Sequence, residues 1–214
     1  DLYCIELLPA AGIESASGTA RLVTPSSPFG LAVTRAGEPQ YDARPVLDSL
    51  FPAGANARIP IISVTGTNGK TTTVRMIAHI LKLMGRRVGM TSTDGIVVDG
   101  RLTKKGDMSG PKSAQMVLQN PKVDTAVFEV ARGGILREGL GYERNDVGVV
   151  LNVQPDHLGL RGIDTVEQLA DVKAVIVEAV PRDGHAVLNA DDPLVREMRR
   201  KCSGQVVWFS MEEP

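Results

Sequence analysis

The sequence has 214 residues, of which 43% are hydrophobic, so it is long and apolar enough for one or two folded domains. Its 24 Lys and Arg residues against 25 Asp and Glu residues give a net charge of −1, which argues against a nucleic-acid partner. No signal peptide or membrane-length apolar run is present, and two distant cysteines have no metal or disulfide spacing. We therefore expect a cytoplasmic protein with no membrane partner.

The first part of the chain carries no clear chemistry. In residues 1–52 we predict strands at 3–8 and 31–34, a loop at 25–29 and a short helix at 42–50. Residues 52–56 are turn-rich and favour a linker or domain boundary. We therefore predict a small α+β segment over 1–52, followed by a second domain over 53–214.

The second domain opens with a strand, a glycine loop and a helix start in one piece, Pro-Ile-Ile-Ser-Val-Thr-Gly-Thr-Asn-Gly-Lys-Thr-Thr-Thr at residues 60–73. The apolar run of 61–64 suits a buried strand, and helix N–H groups beyond the loop suit an anion. Lys70 is placed to meet the β- and γ-phosphates, and the Thr71 hydroxyl is an oxygen ligand suited to Mg²⁺. Val64 stands where the standard Walker motif has glycine. The pattern nevertheless indicates a nucleotide site.

Strands and helices then alternate along the chain. We predict a helix at 70–84, with Val74, Ile77, Ile80, Leu81 and Met84 on its apolar side, and a strand at 87–91. Next come a hairpin at 96–102, a helix at 112–118, strands at 124–130, 146–153, 185–189 and 205–210, and helices at 164–179 and 191–200. This order predicts an α/β fold with a mostly parallel sheet and helices on both faces.

Polar residues follow several of these strands. Ligands of open α/β sheets bind beyond the carboxyl ends of the strands, so these residues are candidates for the site. Glu129 suits Mg²⁺, whereas His157 is better suited by its chemistry to a hydrogen bond or a phosphate contact. Asn152, Asn189 and Asp191 could contact adenine and ribose, but residues 189–193 equally resemble a helix N-cap.

Lys173 occupies the apolar stripe of its predicted helix, where a charged ammonium is unfavourable. One explanation is that its stem packs while its head reaches water. The other is that the amine is modified or meets a strong anion in the site. The sequence pattern leaves both open.

Together these residues resemble a known family. Five features of the sequence are similar to the ATP-dependent central domain of Mur ligases and folylpolyglutamate synthetases. They are the stretch 65–72, Glu129 before Ala-Arg-Gly-Gly, Asn152 with Asp156-His157-Leu158, Lys173, and Leu-Asn-Ala-Asp-Asp-Pro. Residues 93–95, 109–115, 131–137 and 146–153 narrow the resemblance to the cyanophycin synthetases. The likeness spans about residues 45–211.

The resemblance implies an amide ligase in which ATP phosphorylates a carboxylate and an amine captures the acyl phosphate. It implies ATP and Mg²⁺ as cofactors, a peptide or polymer acid and an amino acid as substrates, and a homo-oligomeric full-length parent. In the cyanophycin synthetases this half of the enzyme adds arginine to aspartate side chains. The residues it implies for catalysis are Lys70, Glu129, His157 and Lys173; for nucleotide binding, Thr65, Gly66, Thr67, Asn68, Gly69, Lys70, Thr71, Thr72, Asn152, Asn189 and Asp191; and for metal, Thr71, Glu129, His157 and Lys173.

Lys173 falls where many relatives carry a carbamylated lysine, which would turn a misplaced cation into an oxygen ligand. Residues 4–12 resemble the end of an ATP-grasp domain, with Leu8 where a metal-binding asparagine is expected. We expect the third domain of Mur-type ligases to lie outside this sequence. The alternatives are a Mur-type or folylpolyglutamate-type ligase for another peptide acid, and a nucleotide-binding regulatory module without turnover.

Overall fold

The computed structural model describes residues 13–16, 19–22, 31–33, 58–156, 158–159 and 162–211. The chain divides into two units, Asp1–Arg58 and Ile59–Pro214. In the first unit, β1 (Ile13–Ala16), β2 (Thr19–Leu22) and β3 (Leu31–Val33) form an antiparallel sheet in that order. The strand predicted at 31–34 is confirmed, whereas β1 and β2 were not predicted.

Several predictions fall on residues outside the described part of the chain. They are the strand at 3–8, the loop at 25–29, the helix at 42–50, the linker at 52–56 and the site residue His157. These remain predictions, as does the division of the chain into 1–52 and 53–214.

The second unit is built on an eight-stranded sheet of order β11-β10-β9-β4-β8-β5-β6-β7. Its strands are β4 (Ile61–Thr65), β5 (Val88–Ser92), β6 (Gly95–Val98), β7 (Arg101–Lys105), β8 (Thr125–Glu129), β9 (Val147–Val150), β10 (His185–Asn189) and β11 (Gln205–Phe209). The β5–β6 and β6–β7 pairs are antiparallel and the other pairs of this sheet are parallel; β6 and β7 form the hairpin predicted at 96–102. The prediction of a mostly parallel α/β sheet is confirmed.

The helices are α1 (Lys70–Leu83), α2 (Pro111–Leu118), α3 (Arg132–Glu138), α4 (Val166–Glu178) and α5 (Pro193–Glu197), followed by a 3₁₀ turn, Met198–Lys201. Because successive strand residues point to opposite faces, the sheet has two cores. Val127 packs with Val74 of α1 on one face, while Phe128 belongs to the core that contains Val117 of α2 and Ile176 of α4. Helices therefore cover both faces, as predicted.

Two details of the helix predictions were wrong. Ile80 and Met84 were assigned to the buried side of α1, but they are 54% and 70% exposed, because the helix packs through a narrower stripe around Val74. The helix predicted at 191–200 is instead α5 and the 3₁₀ turn. Asp192 begins α5, since its carboxylate accepts hydrogen bonds from the N–H groups of Leu194 and Val195.

A close contact between α4 and the sheet is made possible by Gly148 in β9. A Cβ atom at this position would lie 2.8 Å from the backbone oxygen of Ile176 and 3.1 Å from a methyl group of Val180. The first distance is shorter than real Cβ contacts, and the second is tighter than most of them. The lack of a side chain at Gly148 therefore lets α4 lie directly on β9.

No helix in the described ranges is both long and apolar enough to span a lipid bilayer.

Candidate active site

The phosphate loop lies at the centre of the sheet. It follows β4, which pairs with β8 on one side and β9 on the other, so the chain crosses over at this point. Ligands of open α/β sheets bind at such crossover points. Gly69 begins α1 with φ of 86°, a left-handed conformation that favours glycine. The loop thus turns sharply into the N-terminus of a 14-residue helix, where free N–H groups can meet an anion.

A cavity of about 490 Å³ opens beside this loop. It is lined by residues 66–72, Thr93, Asp107, Ser109, Glu129, 131–133, Asp156, Leu169 and Lys173. The structure therefore brings the loop, Glu129 and Lys173 together although they lie far apart in the sequence. Of the residues predicted to bind nucleotide, Thr65, Asn152, Asn189 and Asp191 are not among the lining residues.

Lys70 folds back over its own loop. Its ammonium donates hydrogen bonds to the carbonyl oxygens of Gly66 and Thr67, each at 2.9 Å. An anion beside the loop would therefore meet a lysine already held at the cavity. Lys70 lines the cavity, and its contact with phosphate stays a prediction.

Thr71 and Glu129 meet at the other side of the cavity. Glu129 is 2% exposed, and its Oε2 accepts hydrogen bonds from Thr71 Oγ1 at 2.9 Å and from the N–H of Thr93 at 3.2 Å. The two threonine hydroxyls are 3.2 Å apart. This set of hydroxyl and carboxylate oxygens suits Mg²⁺, which takes its other ligands from water and phosphate. The described residues contain no group of three or more His, Cys, Asp and Glu side chains that could hold a metal by themselves.

Thr93 was not assigned to the site from the sequence. Thr93 follows β5, which is the parallel neighbour of β8. It therefore lies at the same edge of the sheet as Glu129. The position of a hydroxyl residue just beyond a predicted parallel strand was the available signal.

Lys173 is 4% exposed on α4, and its ammonium donates a hydrogen bond of 3.0 Å to the Gly66 oxygen. Its ammonium is therefore bound to the protein backbone at the wall of the cavity. Burial, followed by the charge of Lys70, lowers the pKa of Lys173 to about 8, while the charge of Asp156 acts in the opposite direction. Two ammonium groups, from Lys70 and Lys173, thus share one carbonyl oxygen.

The remaining predicted nucleotide contacts are engaged within the protein. Thr65 is buried and donates to the backbone oxygen of Val130. Asn189 donates to the Leu151 oxygen and accepts from the N–H of Asp191. The Asp191 carboxylate accepts from the N–H of Met211 and from the Ser210 hydroxyl, and these bonds lower its pKa. Thr65 thus connects the ends of β4 and β8, and the other two side chains connect the ends of β9, β10 and β11.

The fold and this site define a class of protein. The chain belongs to the Mur ligase middle domain family, whose model matches residues 64–214. It is similar to the cyanophycin synthetase of Geminocystis herdmanii, at 57% identity over 177 residues, and to that of Synechocystis sp., at 58% over 175 residues. The matches cover 83% and 82% of this chain but 20% of each relative, so the chain spans about a fifth of their length.

Solved structures agree with this assignment. A UDP-N-acetylmuramoyl-L-alanyl-D-glutamate–2,6-diaminopimelate ligase matches with a TM-score of 0.61 and 25% identity, over 78% of this chain and 34% of that one. FolC of E. coli in complex with DHPP and ADP matches with a TM-score of 0.56 and 21% identity, over 70% of this chain and 42% of that one. At 21% identity, the similarity to FolC shows a shared fold alone. The resemblance to the Mur ligase and folylpolyglutamate synthetase group, and within it to the cyanophycin synthetases, is confirmed.

Proposed function

We propose that this chain is the ATP-binding part of an amide ligase that adds arginine to the aspartate side chains of a polymer. The observation that carries the proposal is the convergence of Lys70, Thr71, Glu129 and Lys173 on one cavity beside a phosphate loop. The similarity to cyanophycin synthetases supports the choice of arginine and a polymer acid. The activity belongs to the whole protein.

In this proposal the residues of the chain hold and orient ATP. The N–H groups at the start of α1 and the ammonium of Lys70 bind the phosphates, which favours transfer of the γ-phosphoryl group to the substrate carboxylate. The amine of the amino acid then attacks the acyl carbon and phosphate leaves. Thr71, Glu129, His157 and Lys173 would hold Mg²⁺, which neutralises phosphate charge when bound.

Lys173 would serve as a metal ligand only after carbamylation. With a pKa of about 8, part of its amine is neutral near neutral pH and can attack CO₂, forming an N–C bond and releasing a proton. The product is an anionic carbamate. It would replace an unfavourable buried cation with oxygen atoms that suit a metal.

The proposed modification has a direct test. Full-length protein supplied with ¹³C-bicarbonate should show a carbamate carbon by NMR, and the signal should be absent from Lys173→Ala. Ligase activity should depend on bicarbonate, and short carboxylic acids should partly rescue the Lys173→Ala variant. Full activity of that variant without added acid would contradict this role.

The experiment that tests the function is a ligation assay on the full-length protein with ATP, Mg²⁺ and an aspartate polymer primer. Arginine and the other amino acids are supplied one at a time, and both phosphate release and polymer mass are followed. We expect primer-dependent incorporation of arginine. Incorporation of another amino acid, or use of another peptide acid, would support a different Mur-type ligase, and no ATP consumption with any combination would support a regulatory module.

A further inference from the structure

Asn152 makes an unusual set of contacts with the phosphate loop. Its side-chain oxygen accepts hydrogen bonds from the N–H groups of Thr67 at 3.0 Å and Asn68 at 2.9 Å. Its side-chain nitrogen donates to the Asn68 oxygen at 3.2 Å. The backbone oxygen of Asn152 also accepts from the Thr67 N–H at 3.0 Å. One asparagine therefore binds two consecutive peptide groups of the loop.

Gln154 extends this attachment. Its N–H donates to Thr67 Oγ1 at 3.0 Å, and the Thr67 hydroxyl lies 3.3 Å from the Gln154 oxygen. The segment 151–154 thus runs beside the loop beyond the end of β9. The N–H groups of Thr67 and Asn68 are used in this way. The N–H groups at the start of α1 can meet phosphate, since the first turn of a helix has no internal acceptors.

We propose that Asn152 is a positioning residue that holds the phosphate loop in its binding shape through the N–H groups of Thr67 and Asn68. This inference rests on the proposed nucleotide binding and assigns Asn152 to the loop rather than to the adenine or ribose. An amide side chain suits the task because it offers an acceptor and a donor without charge. A loop fixed before binding loses less conformational freedom when phosphate arrives.

Amide hydrogen exchange tests the contact without any nucleotide. In full-length protein with selective ¹⁵N labelling, Asn152→Ala should speed exchange at Asn68 by about tenfold, the factor expected for loss of one hydrogen bond. Thr67 should change less, because it keeps the backbone oxygen of residue 152. Asn152→Asp retains an acceptor oxygen and should keep Asn68 protected. Exchange at Asn68 that is unchanged in the alanine variant would overturn the proposal.

Ligand affinity separates a loop role from a base contact. Titration with MgATP and with magnesium tripolyphosphate should show about a tenfold weaker affinity of Asn152→Ala for both, because tripolyphosphate lacks adenine but binds the same loop. Asn120→Ala is the matched control: its side chain accepts from the Lys122 N–H at 3.0 Å, before β8 and at the opposite edge of the sheet. Weaker binding of MgATP alone would identify a base or ribose contact and overturn the proposal.

The two proposals can fail separately. If the unsubstituted protein binds neither MgATP nor magnesium tripolyphosphate, the proposed function is wrong, and the exchange rates still decide whether Asn152 orders the loop. If the unsubstituted protein binds both ligands and Asn152→Ala binds them equally well, the positioning role alone is wrong.

Discussion

Replacing Lys173 by methionine should stabilise the unmodified protein at neutral pH. Lys173 is 4% exposed, and burial, together with the nearby charge of Lys70, lowers its pKa from 10.5 to about 8. At about 1.4 kcal/mol for each pKa unit, this shift corresponds to roughly 3 kcal/mol by which the folded state disfavours the charged amine. Methionine is unbranched and apolar, so it can occupy the same space without that cost.

Part of the gain is offset by a lost contact. The ammonium donates a hydrogen bond to the Gly66 oxygen, and a charged hydrogen bond contributes about 1.5–3 kcal/mol. We therefore expect Lys173→Met to raise the free energy of unfolding by about 1 kcal/mol at pH 7. The variant should at the same time lose ligase activity, since it cannot form a carbamate.

The stabilisation should depend on pH in a defined direction. The pKa of Lys173 in the folded state is below that in the unfolded state, so the unfolded chain binds more protons between about pH 8 and 10.5. The unmodified protein therefore gains stability relative to the variant as pH rises through this range. The advantage of Lys173→Met should be full well below pH 8. Above pH 8 it should shrink by about 1.4 kcal/mol per pH unit, so that it reverses at about pH 9.

Urea denaturation followed by circular dichroism, from pH 7 to pH 10 in CO₂-free buffer without Mg²⁺, measures this difference. Lys122→Met is the control, because Lys122 is exposed and should show no comparable pH dependence. A Lys173→Met variant that is less stable at pH 7, with a difference that stays constant up to pH 10, would refute the reasoning about the buried amine.

Three further outcomes are expected. Lys70→Ala should lower the rate of arginine ligation by about a hundredfold or more without unfolding the protein, as steady-state kinetics and circular dichroism would show; near-normal turnover would contradict its role. Tyr142→Phe should lower the free energy of unfolding, measured by urea denaturation, by about 1–3 kcal/mol. The reason is that the buried Ser63 hydroxyl, 2.7 Å from the phenol oxygen, loses its hydrogen-bond partner. An unchanged denaturation midpoint would argue against this bond. Lys201→Met should cost no more than about 1 kcal/mol, since its ion pairs with Asp171 and Glu178 are largely exposed; a loss above 2 kcal/mol would be inconsistent with a surface network.

The sequence contains local signals for most of the elements in the second unit. Residues 61–83 were predictable because a β-branched strand, a glycine loop and an amphipathic helix follow one another directly. Helix α3 was not predicted, because Gly133 and Gly134 lie in its first turn and glycine is a poor helix former. The helix packs against α2 and α4, and its partly buried Ile135 lies against the hydrophobic core.

The sequence pointed to Lys70, Thr71, Glu129 and Lys173, which line one cavity, but it did not predict their contacts and it missed Thr93. The carboxyl ends of parallel strands placed Glu129 near Thr71. The hydrogen bond between Lys173 and Gly66 joins residues 107 positions apart, and the attachment of Asn152 to Asn68 joins residues 84 positions apart. Contacts of this kind depend on the exact stacking of loops beyond the sheet, on which hydropathy and spacing carry no information.

The glycine at position 148 sets the clearance between α4 and the sheet, and so the height of Lys173 above the phosphate loop. Gly148 lies beneath Ile176, one helical turn after Lys173, and is paired with Ser63, three residues before Gly66. Gly148→Ala would push α4 outward and move the amine away from the Gly66 oxygen, although residue 148 does not line the cavity. A variant in the middle of a strand would then have the kinetic defects of an active-site variant, because the absence of a Cβ atom at Gly148 sets the position of the helix that carries Lys173.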